Sequence, residues 1–244
     1  MEGKIRLNKY LSESGVCSRR EADRLIQDGR VMVNGKPATV GQQIEENDTV
    51  VCEGKEVVSR DKPVLLAFHK PRGIVCTAQK REKNNVVDYV NYKSRVYPVG
   101  RLDKESQGLL LLTNRGELVN KIMRAGNHHE KEYWVSVDKP VTGEFLKGLA
   151  AGVYLEELQV KTRPCRVKQA GPNSFTMVLT QGLNRQIRRM CQAYGYQVRR
   201  LTRTRILNIR LGDLPEGQYR EITGEELKTL EALVAGSTSG PRRS

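Results

Sequence analysis

Aromatic side chains are scarce in this chain: one Trp, three Phe and nine Tyr make up 5% of its 244 residues. No run of residues approaches the ~20 apolar positions of a membrane-spanning helix, and the polar start MEGKIRLNKY lacks the pattern of a secretory signal. The five cysteines, Cys17, Cys52, Cys76, Cys165 and Cys191, include no C-x-x-C pair. Scattered cysteines argue against a disulfide framework and for free thiols in a reducing compartment, so a cytoplasmic protein is expected. Histidine is equally sparse. His69 and the adjacent His128 and His129 offer no ligand spacing, so no metal site is expected.

Acidic residues are also in short supply. There are 28 Asp and Glu against 42 Lys and Arg, a formal net charge of +14, with a pI of about 9.7 and a mean hydropathy of −0.56. Such an excess points to a polyanionic partner, and nucleic acid is the default. The deficit is sharpest over residues 181–210, which hold Arg185, Arg188, Arg189, Arg199, Arg200, Arg203, Arg205 and Arg210 and no acid at all. Solvated faces normally mix signs, so this stretch reads as a basic surface for phosphates, a task that suits arginine.

Patterning divides the chain. In IRLNKYLSESG, Leu7, Tyr10, Leu11 and Ser14 recur at helical spacing, and Gly15 can end that helix. Ser18-Arg19-Arg20-Glu21 is a capping box opening a second helix that turns Ala22, Leu25 and Ile26 inward and leaves Arg19, Arg20 and Arg24 outward. RVMVNGKPATV follows, a hairpin about Asn34-Gly35. The polar stretch at about 56–63 reads as a linker. Beyond it, VLLAFHKP, the LLLLT run, YWVSVDKP, FTMVLT and ILNIRL read as strands, interleaved with the helical GELVNKIM and NRQIRRMCQAY. Strands and helices without strict alternation predict an α+β fold with a mixed, mainly antiparallel sheet. The expected organisation is a small domain over 1–60, a larger one over 61–235 and a disordered tail over 236–244.

Four stretches of the larger domain carry candidate chemistry. HKPRG at 69–73 is a polar turn after a buried strand and offers Lys70 and Arg72. GRLD at 100–103 parks Asp103 at the mouth of four consecutive leucines. KEYWV places Lys131 and Tyr133 where a strand begins, and QGLNRQIRRMC enters a helix with Arg185, Gln186 and Arg188 near its start. Arginines in a first helical turn oppose the macrodipole, which suggests an anion nearby, either a carboxylate or a phosphate. Taken singly these residues have ordinary readings: an Asx-turn for Asp103, a core aromatic for Tyr133, a solvated Lys70.

Taken together, HKPRG, GRLDKESQGLLLLTNRG, KEYWV and QGLNRQIRRMC resemble the RsuA-type family of ribosomal RNA pseudouridine synthases. The resemblance runs through DLPEGQYREIT at 213–223. Residues 4–52 resemble the alpha-L RNA-binding module, an S-four-like domain. The runs NHHEKEYWV, GLNRQIRRMC and LTRTRILNI resemble the RluF type within that family, which acts on large-subunit ribosomal RNA. The resemblance implies isomerisation of uridine to pseudouridine with no cofactor, and it places the catalytic aspartate at Asp103, as nucleophile or as base. It implies that Arg188 pairs with that aspartate, that Tyr133 stacks on the target base, and that Arg101 fills the gap left by a flipped nucleotide. Lys70, Arg72, Arg185, Gln186, Arg19, Arg20 and Arg24 are expected RNA contacts. A monomer acting on ribosomal RNA, or on another structured RNA such as tRNA, is expected. Two rivals are a non-catalytic RNA-binding protein and a glycoside or nucleoside hydrolase. Most glycosidases need two carboxylates flanking the bond.

Overall fold

The computed structural model describes residues 4–58, 62–79 and 81–237. It divides into two compact units, Met1–Pro63 with Lys93–Arg95, and Val64–Tyr92 with Val96–Ser244. The expected linker falls partly outside the described residues, and the expected tail lies outside them from residue 238 onward.

In the first unit a helix over Leu7–Glu13 buries Leu7 and Leu11. A second, over Arg19–Gln27, buries Ala22, Leu25 and Ile26. Ser18 caps it by accepting the Glu21 amide at 3.2 Å, and Arg19, Arg20 and Arg24 are exposed. Asn34 and Gly35 both hold positive φ, 49° and 75°, and so turn Val31–Val33 onto Lys36–Pro37. Ahead of the first helix, Ile5 and Arg6 pair with Ile44 and Gln43 as a short strand.

The second unit is built on a mixed sheet. Its main path runs Arg166–Gly171, Ser174–Leu179, Lys131–Val137, Val198–Ile206, Gln107–Thr113, Leu65–Lys70 and Tyr219–Glu221. The pairing of Val198–Ile206 with Gln107–Thr113 is parallel, and the other pairings on this path are antiparallel. The tetraleucine strand explains the layering. Leu109 and Leu111 join a core with Leu118, Ile122 and Leu230 of two helices. Leu110 and Leu112, facing the other way, join Leu66, Phe68, Phe145 and Met190. A strand buried on both faces needs no polar alternation, and its four leucines are all 0% exposed.

One expectation is corrected here. ILNIRL is not a strand but the end of one: Val198–Ile206 is a nine-residue strand that reverses at Leu207, φ 53°, into Ile209–Arg210. The arginine spacing of VRRLTRTRI hid its period-two pattern, because some of those arginines face inward.

Candidate active site

Asp103 sits in the loop between Tyr97–Val99 and the tetraleucine strand, half-buried. Its carbonyl accepts the Ser106 amide at 3.0 Å, closing a turn, and the Lys104 carbonyl accepts Gly73 N at 2.7 Å. The turn faces a cavity of about 400 Å³, within the usual range for small-molecule sites, lined among others by Arg101, Tyr133, Arg185 and Gln186. Asp103 is the one carboxylate lining it among the described residues.

Three cations brace this loop through its backbone. Lys70 is 0% exposed and donates Nζ to the Pro71 and Ser106 carbonyls at 2.8 and 2.9 Å. Arg188 donates Nη2 to Glu105 O and Ser106 Oγ, and Nη1 to Val198 O, each at 3.3 Å. Arg203, 1% exposed, donates Nε to Leu109 O at 2.8 Å and Nη1 to Arg101 O at 3.4 Å. Burial lowers the pKa of Lys70, with Asp103 pulling it back. Burial and then Arg185 lower that of Arg188, while Glu105 and Asp103 raise it.

These positions correct the expectations for Arg188 and Lys70 and locate the others. Arg188 holds the turn that carries Asp103 and feels its charge, but the two make no ion pair within 4.0 Å. Lys70 is no RNA contact, since its ammonium is sealed beneath the loop. Gln186, 4% exposed, accepts Leu183 N at 3.0 Å through Oε1 and so shapes the cavity wall. Arg185, at φ 50°, lines the cavity but is tied to Glu105 at 3.0 Å. Arg72 is exposed and lies outside the cavity lining.

The arginine-rich stretch is not one basic face. Arg189 pairs with Glu157. Arg205 pairs with Glu130 and Glu132 at 3.0 and 2.9 Å. Arg203 is interior, and Arg199, Arg200 and Arg210 are exposed. The cause is a bulge. Glu132 stands opposite Arg205 but Tyr133 stands opposite Arg203, so Thr204 is the extra residue. In a regular strand 203 and 205 would share a face. The bulge sends Arg203 to the Tyr133 side and Arg205 to the Glu132 side, a device common beside active sites.

The family described as RNA pseudouridylate synthase matches residues 64–193, and the S4 domain matches residues 5–50. The chain is 53% identical over 240 residues to the dual-specificity RNA pseudouridine synthase RluF of Escherichia coli (strain K12), covering 98% of this chain and 82% of that one.

The chain belongs to the RsuA-type family of RNA pseudouridine synthases.

A further relative is the ribosomal large subunit pseudouridine synthase B of Bacillus subtilis (strain 168), 38% identical over 238 residues, covering 94% of this chain and 96% of that one. A crystal structure of a pseudouridylate synthase superposes with a TM-score of 0.68 at 27% identity, covering 93% of this chain and 99% of that one. The reaction of this synthase is therefore the isomerisation of uridine in RNA to pseudouridine. Two buried thiols are held from reactivity: burial pushes Cys191 up to about 12 and Cys165 up to about 11, against the deprotonation that reactivity needs. Among the described residues no helix is long and apolar enough to cross a membrane.

Two cavity residues were given no site role by the sequence. Lys131, named beside Tyr133 in KEYWV, is 4% exposed and sits two residues before Tyr133 in one strand, so period-two alternation puts both on one face. Arg203 could not be found that way, because its facing depends on the bulge.

Proposed function

We propose that this synthase isomerises uridine in ribosomal RNA of the large subunit, with Asp103 as its catalytic carboxylate, acting as a monomer in the cytoplasm. What carries the reading of Asp103 is its position as the one carboxylate lining the cavity among the described residues, on a loop braced by Lys70, Arg188 and Arg203. A buried target base must leave its stack to reach such a cavity, at a cost of a few kcal/mol. Arg101, exposed at the rim, is placed to fill the vacated position. The Tyr133 ring, 9% exposed on the cavity wall, supports the base by stacking, worth ~1–3 kcal/mol. Asp103 then attacks C1′ or takes the C2′ proton, the uracil rotates, and C5 joins C1′. A single carboxylate suffices because the detached base stays bound and returns.

The choice of ribosomal RNA is supported by the name of one relative, a ribosomal large subunit enzyme. The dual specificity in the name of the other supports a second structured RNA, such as tRNA, as a substrate. Asp103→Asn is expected to abolish tritium release from [5-³H]uridine RNA while leaving RNA affinity within several-fold. A general acid–base group typically supplies ~10²–10⁴-fold, so a variant keeping more than about one per cent of the wild-type rate would exclude Asp103. Release of free uracil would instead favour the hydrolase. Mapping pseudouridines in ribosomal and transfer RNA from cells lacking the chain decides the substrate.

A further inference from the structure

The cavity holds more positive charge than its aspartate can use. Lys131 and Arg203 both line it, at 4% and 1% exposure. Among the described residues neither has a carboxylate within 4.0 Å. Lys131 donates Nζ to the His129 carbonyl at 3.2 Å, and Arg203 spends Nε and Nη1 on backbone carbonyls. Its Nη2 is buried with no partner. A buried charge without a counter-ion is costly, and two that repel each other cost more. Arg203 and Lys131 do repel: burial first, then Arg203, bring the Lys131 amine down to about 8. Asp103 acts on Lys70 and Arg188 and is not among the charges that act on Lys131.

An arrangement of this kind serves an anion that arrives with the substrate. On the reading given above, phosphates stay on the backbone outside and what enters the cavity is the flipped base.

We propose that Lys131 and Arg203 form the charge-receiving wall of the cavity, binding the uracil carbonyl oxygens and stabilising the negative charge the ring carries once its bond to the sugar is broken. This rests on the reading of the cavity given above. When N1–C1′ breaks, the electron pair leaves with the uracil and spreads over N1, O2 and O4. The deficit at C1′ is met by Asp103, either by a bond from its carboxylate or by removal of the C2′ proton. C5 then attacks C1′, breaking the carboxylate bond of the first route or, in the second, as C2′ takes its proton back from Asp103; the C5 proton leaves and N1 takes up a proton, so nothing is gained or lost overall. Charge sits on the ring only between the two bonds. Cations fixed there therefore stabilise the transition state more than the neutral substrate, as preorganised electrostatics requires.

The test asks whether the cost of losing Lys131 depends on how well the ring carries charge unaided. Single-turnover rates at saturating RNA are measured at about pH 6.5, where Lys131 is protonated, with uridine or 5-fluorouridine at the target position, following the C-linked nucleoside after digestion. Fluorine withdraws electrons and makes the ring a better leaving anion. Lys131→Met is expected to lose about 10²-fold on uridine, in the range for one preorganised donor, and about tenfold or less on 5-fluorouridine. Equal losses on both would overturn the proposal. So would an unchanged rate with weaker RNA binding and a salt slope smaller by about one, which marks a phosphate contact. Asp103→Asn is run alongside. If it keeps its rate, the reading of the cavity fails; if it is dead and Lys131→Met loses equally on both RNAs, only the present proposal fails.

Should Lys131→Met not fold, the pH profile decides. The charged and titratable groups that line the cavity with Lys131 are Arg203 from the neighbouring strand, Arg101 and Asp103 from the loop, Arg185 before the helix and Tyr133 two residues along; beside it stands His129, whose own pKa is lowered by burial and then by Lys131. The wild-type rate should fall as pH rises through about 8, and Lys131→Arg, which stays charged, should not fall there. A flat wild-type profile, or the same fall in Lys131→Arg, would overturn the proposal.

Discussion

Arg188 reaches a carbonyl and a hydroxyl of the loop rather than the Asp103 carboxylate. Its burial, first among the causes that lower its pKa, would be costly for a mere phosphate ligand, whereas Arg199 stands exposed on the same stretch of chain. Both variants to Met remove one charge, but only Arg188→Met loosens the turn and withdraws a cation from Asp103. Arg188→Met is expected to lower the single-turnover rate at saturating RNA by about 10²-fold or more. Arg199→Met should keep its rate and reduce the salt slope of binding by about one. Equal rates for the two would show that Arg188 does no more than hold phosphate.

Among the elements, the parallel contact between Val198–Ile206 and Gln107–Thr113 fixes Arg203 against the loop. It depends on Gly108, at φ 107°, whose missing Cβ would collide with the backbone N and O of Arg203. Neither the conformation nor the space admits a side chain. Gly108→Ala is expected to cost at least about 2 kcal/mol, a melting-point loss of ~4–8 °C at this size. Gly126→Ala, with open space around it, should stay within ~0.5 kcal/mol. Equal melting points would mean the strands can separate without penalty. Much at this scale was legible in the sequence. The four leucines, the Ser18 cap and the Asn34-Gly35 turn each rest on local physics, so each appears where its residues predict. The bulge at Thr204, the burial of Lys70 and the neutralisation of Arg189 and Arg205 were not legible. Each depends on partners far along the chain, such as Glu157 and Glu130, that no spacing rule brings together.

For the molecule as a whole, the distribution of charge separates two ways of holding RNA. Through Pro63 the sequence has 11 Lys and Arg against 11 Asp and Glu, leaving 31 against 17 beyond it, so the whole +14 lies after residue 63. The segment through Pro63 therefore adds no net attraction. Its exposed Arg19, Arg20 and Arg24 form a local basic face on a neutral module, suited to a chosen RNA shape rather than to polyanions at large. The remainder has cores on both faces of its own sheet, which predicts independent folding. A chain beginning at Val64 should melt cooperatively and isomerise uridine at saturating RNA, yet bind its target more weakly. If the three arginines each meet one phosphate, the salt slope of binding should fall by about two to three, at ~0.7–0.9 per phosphate. Affinity for unrelated RNA, set by the retained +14, should change little. Calorimetry and titration at several salt concentrations check both halves. A truncated chain that does not melt cooperatively would show that the two units share one fold. Unchanged affinity and slope on the target would remove the first unit from RNA recognition and leave the basic surface of the larger unit to find the substrate alone.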